Sequence, residues 1–218
     1  GKQVMCEKPI ACTLEQADRM IDACRKADVR LAIALVSRYS ASTLKGRELV
    51  EAGAIGKVVG LQFHVMANKP DSYWRGGYTG RVTTDWRPSV EMSGGGVLVM
   101  NLVHDIDRFR FMTGLEPIRA FCECDTFLTD VEVEDAITVT YRYDNGAIGT
   151  ATATSCARGA LSNGNRIVGT EGQILFEGRG MKVFTTKDHS GLTAGEWTEL
   201  EVADERESRT VFTERFAE

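Results

Sequence analysis

His104 is the residue of this chain best suited to moving a proton. It lies in the run Val97 to Met112, where Val97, Leu98, Val99, Met100, Leu102, Val103, Ile106 and Phe109 leave little polar surface. A helix apolar nearly all round is expected to be buried on most sides. Asn101, His104, Asp107 and Arg108 interrupt that pattern at spacings of three and four, which predicts one polar stripe along the helix. Ionisable groups on a buried helix need partners or a wet cleft. An imidazole, titrating near pKa ~6.5, can take or give a proton close to neutrality. A core histidine above an ion pair would leave the same pattern, so the stripe alone does not separate the two.

Two further segments bear on chemistry. Ser93-Gly94-Gly95-Gly96 precedes the helix, and three glycines there remove side chains where something approaches the backbone beside the positive end of the helix dipole. Glu7-Lys8-Pro9 follows a short apolar segment; the proline restricts Lys8 to an extended conformation at a strand exit. A lysine fixed there can hydrogen-bond a hydroxyl and lower the pKa of its neighbours. No GxGxxG lies between a strand and a helix in these 218 residues, and Gly53-Ala54-Ile55-Gly56-Lys57 lacks the length and the Ser/Thr of a phosphate loop. His64, His104 and His189 share no ligand spacing, so no metal site is expected.

The elements that must position these residues read as follows. Thr13-Leu14-Glu15-Gln16 fits a capping box, and Leu14, Ala17, Met20, Ile21 and Cys24 then recur at helical spacing to about residue 27. Leu31 to Val36 is a continuous aliphatic run, as in a buried strand. Residues 42–52 read as a second helix and Val58 to Met66 as a strand; residues 67–96 are the least regular stretch. Beyond Pro117, segments 117–126, 133–142, 147–156, 164–170, 172–178 and 181–186 are rich in Val, Ile, Thr, Phe and Tyr and are separated by turn residues such as Asp144-Asn145-Gly146. The chain stops in an apolar–charged alternation, Val211 to Phe216, that is not read as a helix. The pattern predicts an α+β fold: a large, mostly antiparallel open sheet with helices packed on one face. Thr150, Thr152 and Thr154, alternating with alanines, would line the other face and suit packing against a second subunit.

Taken in order, Glu7-Lys8-Pro9, a helix, an aliphatic strand ending in Ser37-Arg38-Tyr39, Asp85-Trp86-Arg87, Gly94-Gly95-Gly96 and His104-Asp105-Ile106-Asp107 resemble the glucose–fructose oxidoreductase/inositol dehydrogenase/rhizopine catabolism family of NAD(P)-dependent oxidoreductases. The resemblance covers nearly the whole chain. It implies a dihydrodipicolinate-reductase-like C-terminal domain. Residues 1–12 would be a junction segment from an otherwise missing dinucleotide-binding domain, and residues 13–218 the substrate-binding and oligomerisation domain. Lys8 and His104 match the family's catalytic lysine and acid/base histidine. Glu7, Lys8, Pro9 and Trp86 match positions at the cofactor, NAD or NADP, and Arg38 and Arg87 match positions at the substrate mouth. Many inositol-type members carry an aspartate four residues before the histidine; here that position is Met100, and Asn101 is the nearest polar substitute at the substrate. The implied reaction moves hydride between a nicotinamide and a sugar, polyol or inositol-like hydroxyl. The alternatives are a hydrolase or lyase using transient redox, or a non-catalytic binding or assembly module.

Composition narrows the remaining classes. The chain has 26 Lys plus Arg against 31 Asp plus Glu, a formal charge of −5, with no basic run, so nucleic acid is not an expected partner. The longest aliphatic run is too short to span a bilayer, so no membrane insertion is expected. Six cysteines without CxxC or metal spacing read as reduced thiols in a cytoplasmic protein, Cys122 and Cys124 packing on one face of a strand. The expected partners are a small-molecule substrate and further copies of the chain, as a homodimer or homotetramer through the sheet.

Overall fold

The computed structural model describes residues 1–76, 84–160, 164–178, 180–202 and 207–217. Residues 77–83 of the irregular stretch lie outside them. Strands β1 (Val4–Cys6) and β2 (Leu31–Ile33) pair in parallel as their own two-stranded sheet, with α1 (Leu14–Lys26) between them. At the start of α1, Thr13 Oγ1 accepts from the Gln16 amide at 3.2 Å, whereas Gln16 Oε1 accepts from Cys12, one residue before the reciprocal partner a capping box requires. The aliphatic run stays extended only to Ile33 and is half-buried; Val36–Tyr39 turn as a 3-10 helix that carries Arg38. Helix α2 (Ala41–Glu51) follows, capped by the Ser40 hydroxyl.

The second sheet has eight strands: β3 (Val58–Met66), β4 (Pro117–Asp125), β5 (Ala136–Tyr143), β6 (Ile148–Thr154), β7 (Asn165–Gly169), β8 (Gly172–Glu177), β9 (Gly180–Thr185) and β10 (Trp197–Leu200). Their order is β10-β9-β8-β7-β3-β6-β5-β4. Every described pairing is antiparallel except β3 with β6, because the early strand β3 is inserted between two strands of the later meander. The fold class and the strand segments of the sequence analysis are recovered, with β10 added. Inward-facing Leu61, Phe63, Ile137, Val139, Tyr141, Ala151, Ile167, Ile174 and Val183 meet Leu102, Phe109 and Met112 of the His104 helix. That burial is the main source of stability and fixes the helix on the sheet. Phe63 stacks on Phe109 at 4.9 Å between ring centroids.

Two expectations are corrected here. The alternation from Val211 onward, not read as a helix, belongs to helix α6 (Ser208–Ala217), whose Phe212 is buried against Tyr39. Its three large apolar residues, Val211, Phe212 and Phe216, span less than two turns with Arg215 among them, too short a pattern to mark a helix; contact with the turn at Val36–Tyr39 holds it. Cys122 and Cys124 share a strand but do not pack: β4 is an edge strand exposed along its length, and both thiols are exposed. All six cysteines are free.

Between β4 and β5 the chain is held by one buried carboxylate. Asp135 accepts from the amides of Phe127, Leu128 and Thr129 at 2.9–3.1 Å and from the Thr129 hydroxyl. Burial pushes its pKa up, but the amides of Leu128 and Phe127, the Cys156 thiol and the Thr129 amide outweigh this and hold it below the ordinary value. A carboxyl held low in the folded state contributes stability that is complete above its unfolded pKa and disappears as pH falls through the folded value. Asp135→Asn is therefore expected to lose about 2 kcal/mol at neutral pH. The deficit should shrink below pH ~4, as read from urea midpoints over a pH series; a deficit independent of pH would refute this.

Candidate active site

The His104 helix begins with short α4 (Val90–Ser93), whose C-cap Gly94 has φ +75°. Gly95 and Gly96 then lead into a π turn, Leu98–Leu102, and α5 (Val103–Thr113). The glycine run was expected to admit a ligand at the helix start. The structure fills that place with the chain itself. Glu134 Oε2 accepts from the Gly96 amide at 2.8 Å and Oε1 from the Leu98 amide at 2.9 Å, while its carbonyl accepts from the Val97 amide at 3.0 Å. A Cβ on Gly96 would lie 1.9 Å from the Glu134 carbonyl oxygen, and one on Gly94 would press on the backbone of Cys12. The anion that the helix dipole favours is thus internal. No sequence signal singled out Glu134, which lies 38 residues away from the amide it binds.

In the π turn the Val103 amide donates to the Leu98 carbonyl, five residues back. The inserted residue rotates everything after it relative to everything before it. The predicted stripe is broken accordingly. Asn101 lies within the π turn and is half-buried. Asp107 takes Arg38, whose Nε and Nη2 donate to the two carboxylate oxygens at 2.8 and 2.5 Å. Arg108 lies 3.5 Å from Asp105 and over the Phe176 ring. Asp105 also accepts from Asn165, and burial raises its pKa.

Lys8 reaches this helix from the other end of the chain. Its Nζ donates to the Met100 carbonyl, within the π turn, so at the position where an aspartate was absent the backbone supplies the acceptor. The Lys8–Pro9 peptide bond is cis. Glu7 is held by Arg209 of α6 at 2.6 Å. Arg87 lies 4.5 Å from the Trp86 ring and 4.9 Å from the Tyr73 ring, and Trp86 packs against the cluster of Tyr73, Trp74, Met100 and Val133. The Tyr73 hydroxyl contacts Met100 Sδ at 3.9 Å.

The electrostatics join Lys8, His104 and Arg87. Burial lowers the pKa of Lys8, helped by the charge of Arg87 and opposed by Glu7. Burial likewise lowers that of His104, helped by Lys8 and Arg209 and opposed by Asp107 and Glu7. His104 is half-buried, and its Nδ1 is fully buried with no hydrogen-bond partner among the described residues. Lys8 thus meets the helix at Met100, Lys8 and Glu7 act on His104 one turn further on, and Trp86 and Arg87 lie on the Met100 side. Arg38, expected at the substrate mouth, pairs with Asp107 and keeps 39% of its side chain exposed. A cavity of about 410 Å³ lined by Arg75, Asp85, Pro88, Asp130 and Glu132 contains neither Lys8 nor His104. Among the described residues there is no group of three metal-ligating side chains, and no helix is long and apolar enough to cross a membrane.

Residues 43–175 match a family model described as the GFO/IDH/MocA C-terminal domain, and residues 1–35 match that of the oxidoreductase family's NAD-binding Rossmann fold. The chain is similar to a 1,5-anhydro-D-fructose reductase of Ensifer adhaerens, with 31% identity over 195 residues, 88% of this chain and 54% of that protein. It is similar to a myo-inositol 2-dehydrogenase of Thermotoga maritima, with 30% identity over 183 residues, 81% of this chain and 49% of that one. Among solved structures, the aldose-aldose oxidoreductase from Caulobacter crescentus complexed with glycerol superposes with a TM-score of 0.81 at 25% identity, covering 99% of this chain and 61% of that one. The chain spans about half the length of the curated relatives it matches.

The close approach at Gly96 generates a test. Gly96→Ala must displace either the helix start or Glu134, and the expected loss is about 3 kcal/mol, seen as a lower urea midpoint with unchanged slope. An alanine variant as stable as the wild type would contradict the contact.

Proposed function

We propose that this chain, which belongs to the GFO/IDH/MocA oxidoreductase family, supplies the substrate side of an NAD(P)-dependent dehydrogenase acting on a sugar, polyol or inositol-like hydroxyl. The observation that carries the reading is the His104 imidazole: half-buried, one nitrogen without a partner, and held next to Lys8 on a rigid helix. Burial and the charge of Lys8 keep the ring uncharged at neutral pH, so it can accept the proton of a secondary hydroxyl. Lys8, fixed by the Met100 carbonyl, presents positive charge to the oxygen as that proton leaves. The nicotinamide, when bound, accepts or supplies the hydride. The orphaned nitrogen of His104 and the ring of Trp86 beside Met100 fit such a group, with Glu7, Lys8, Pro9 and Trp86 as its contacts. Arg87 and Asn101 are the proposed substrate contacts.

The same reading divides the chain into a junction, expected at residues 1–12 and carried here through β2 because β1 and β2 pair in a sheet of their own, and a substrate and assembly domain beyond it. The match of residues 1–35 to a Rossmann-fold model supports a dinucleotide-binding partner for β1, α1 and β2. NAD or NADP both suit the site. Six free thiols support a reducing, cytoplasmic setting. On the outer sheet face Thr138 faces Thr152 and Thr140 faces Thr150, a flat row of small side chains, and Phe121 is exposed beside Thr140. This supports a homodimer or homotetramer through the sheet; sedimentation of a strict monomer at high micromolar concentration would remove that part.

The activity is tested on the full-length protein with NAD or NADP and a panel of sugars and polyols. Net NAD(P)H formation is expected, with kcat lowered about 10²–10⁴-fold by His104→Asn or Lys8→Met. The oxidation rate should fall as pH drops through the His104 pKa, which lies below its ordinary value. Product release without net NAD(P)H would point to transient redox instead, and no turnover with any substrate would refute the reading.

A further inference from the structure

Two carboxylates act on His104 in the direction opposite to Lys8. Glu7 follows β1, and Asp107 sits one helical turn beyond His104 on α5. Each is tied to an arginine from elsewhere in the chain. The two pairs differ in exposure: Glu7 and Arg209 have 61% and 65% exposed side chains, whereas Asp107 is 6% exposed and its partner Arg38 39%. Solvent and salt screen the first pair, so its state matters little to the imidazole. A buried carboxylate is not screened in that way and needs a partner.

Asp107 has one such partner. Arg38 meets both of its oxygens in the two-pronged geometry that only a guanidinium offers, and Arg38 is itself steadied by the Phe111 ring at 5.5 Å. Among the described residues no other basic group is within ion-pair distance of Asp107; Arg108 is turned to Asp105. We propose that Arg38 and Asp107 are a positioning pair, in which the guanidinium cancels the Asp107 charge one turn from His104 so that the imidazole meets its substrate as an uncharged proton acceptor. Arg38 thus acts through His104 and not on the substrate. The charged groups that act on the imidazole are Lys8 and Glu7 after β1, Asp107 on α5 and Arg209 from α6; Arg38, from the turn after β2, reaches it only through Asp107, and Arg87 through Lys8.

The inference rests on the reading of His104 as the proton acceptor, but its test does not need turnover. In the full-length protein, labelled at histidine and assigned with His104→Gln, the His104 midpoint is followed by NMR without substrate. Arg38→Gln unmasks Asp107 and is expected to raise the midpoint by about one pH unit. Where substrate turns over, the acid limb of kcat/KM should move up with it. Asp107→Asn leaves Arg38 unopposed and should lower the midpoint, and the double variant should return it close to the wild-type value. Arg38→Lys, retaining charge without the fork, should fall between wild type and Arg38→Gln. Should Arg38→Gln not fold, the nearly isosteric Asp107→Asn decides alone. An unmoved midpoint in a folded Arg38→Gln or Asp107→Asn protein, even with activity lost, would overturn the proposal and leave the pair a structural one. The expected midpoint shifts in a protein that oxidises nothing would uphold the pair and refute the proposed function instead.

Discussion

The candidate site depends on the approach of Glu134 to the first turn of the His104 helix. Three consecutive amides there, those of Gly96, Val97 and Leu98, are satisfied by one residue, two by its carboxylate and one by its carbonyl. The first turn of a helix has no internal acceptors for these groups, so leaving them bare inside the protein would be expensive. A carboxylate at that end also meets the positive end of the dipole, worth roughly 1 kcal/mol. Glu134 lies two residues before β5 begins, so the cap fastens the helix directly to the sheet. Only glycine at position 96 permits the contact.

From that anchored start the π turn sets where the chemistry can be. Had the helix continued regularly, Asn101, His104, Asp107 and Arg108 would have faced one way. The inserted residue leaves the Met100 carbonyl to receive Lys8, 92 residues earlier in the chain. Such local insertions cost hydrogen-bond geometry and are concentrated at working sites. The packing that offsets the cost is visible on both sides: Leu102 and Phe109 are fully buried against the sheet, and Met100 is buried among Tyr73, Trp74 and Val133.

How much of this was legible in the residues follows from the range of each interaction. The bounds of β3 and the succession β4 to β9 could be read because β-branched runs broken by turn residues are local signals. The insertion of β3 between β6 and β7 could not, since nothing local distinguishes its neighbours. His104 and Lys8 were legible through the apolar helix and the family's joint motif order. Glu134 was not: an isolated acid in a loop looks solvated until the helix it caps is in place. The glycine run was legible as a site of close approach, but not what approaches. Helix α6 failed for a different reason. It is held by Phe212 against Tyr39, with Arg215 over that same ring, and its apolar face is only three residues long, too short to stand out as a period.

Under the proposed function, the division of labour between Lys8 and His104 follows from a difference already present in the free side chains. Lys8 and His104 both carry positive charge when protonated, both are partly buried, and the charge of Lys8 disfavours that of His104. Burial lowers both from ordinary values of 10.5 and 6.5. Their ordinary values start four units apart, 10.5 against 6.5, so the imidazole gives up its proton before the ammonium as pH rises. The arrangement therefore settles into one neutral acceptor beside one cation over the neutral range. A carboxylate at position 100 would have pulled both values upward and narrowed the range in which His104 is free to accept a proton. With Met100 there, the backbone carbonyl orients Lys8 as a dipole without adding a full negative charge, and the acid nearest on the helix, Asp107, is already taken by Arg38.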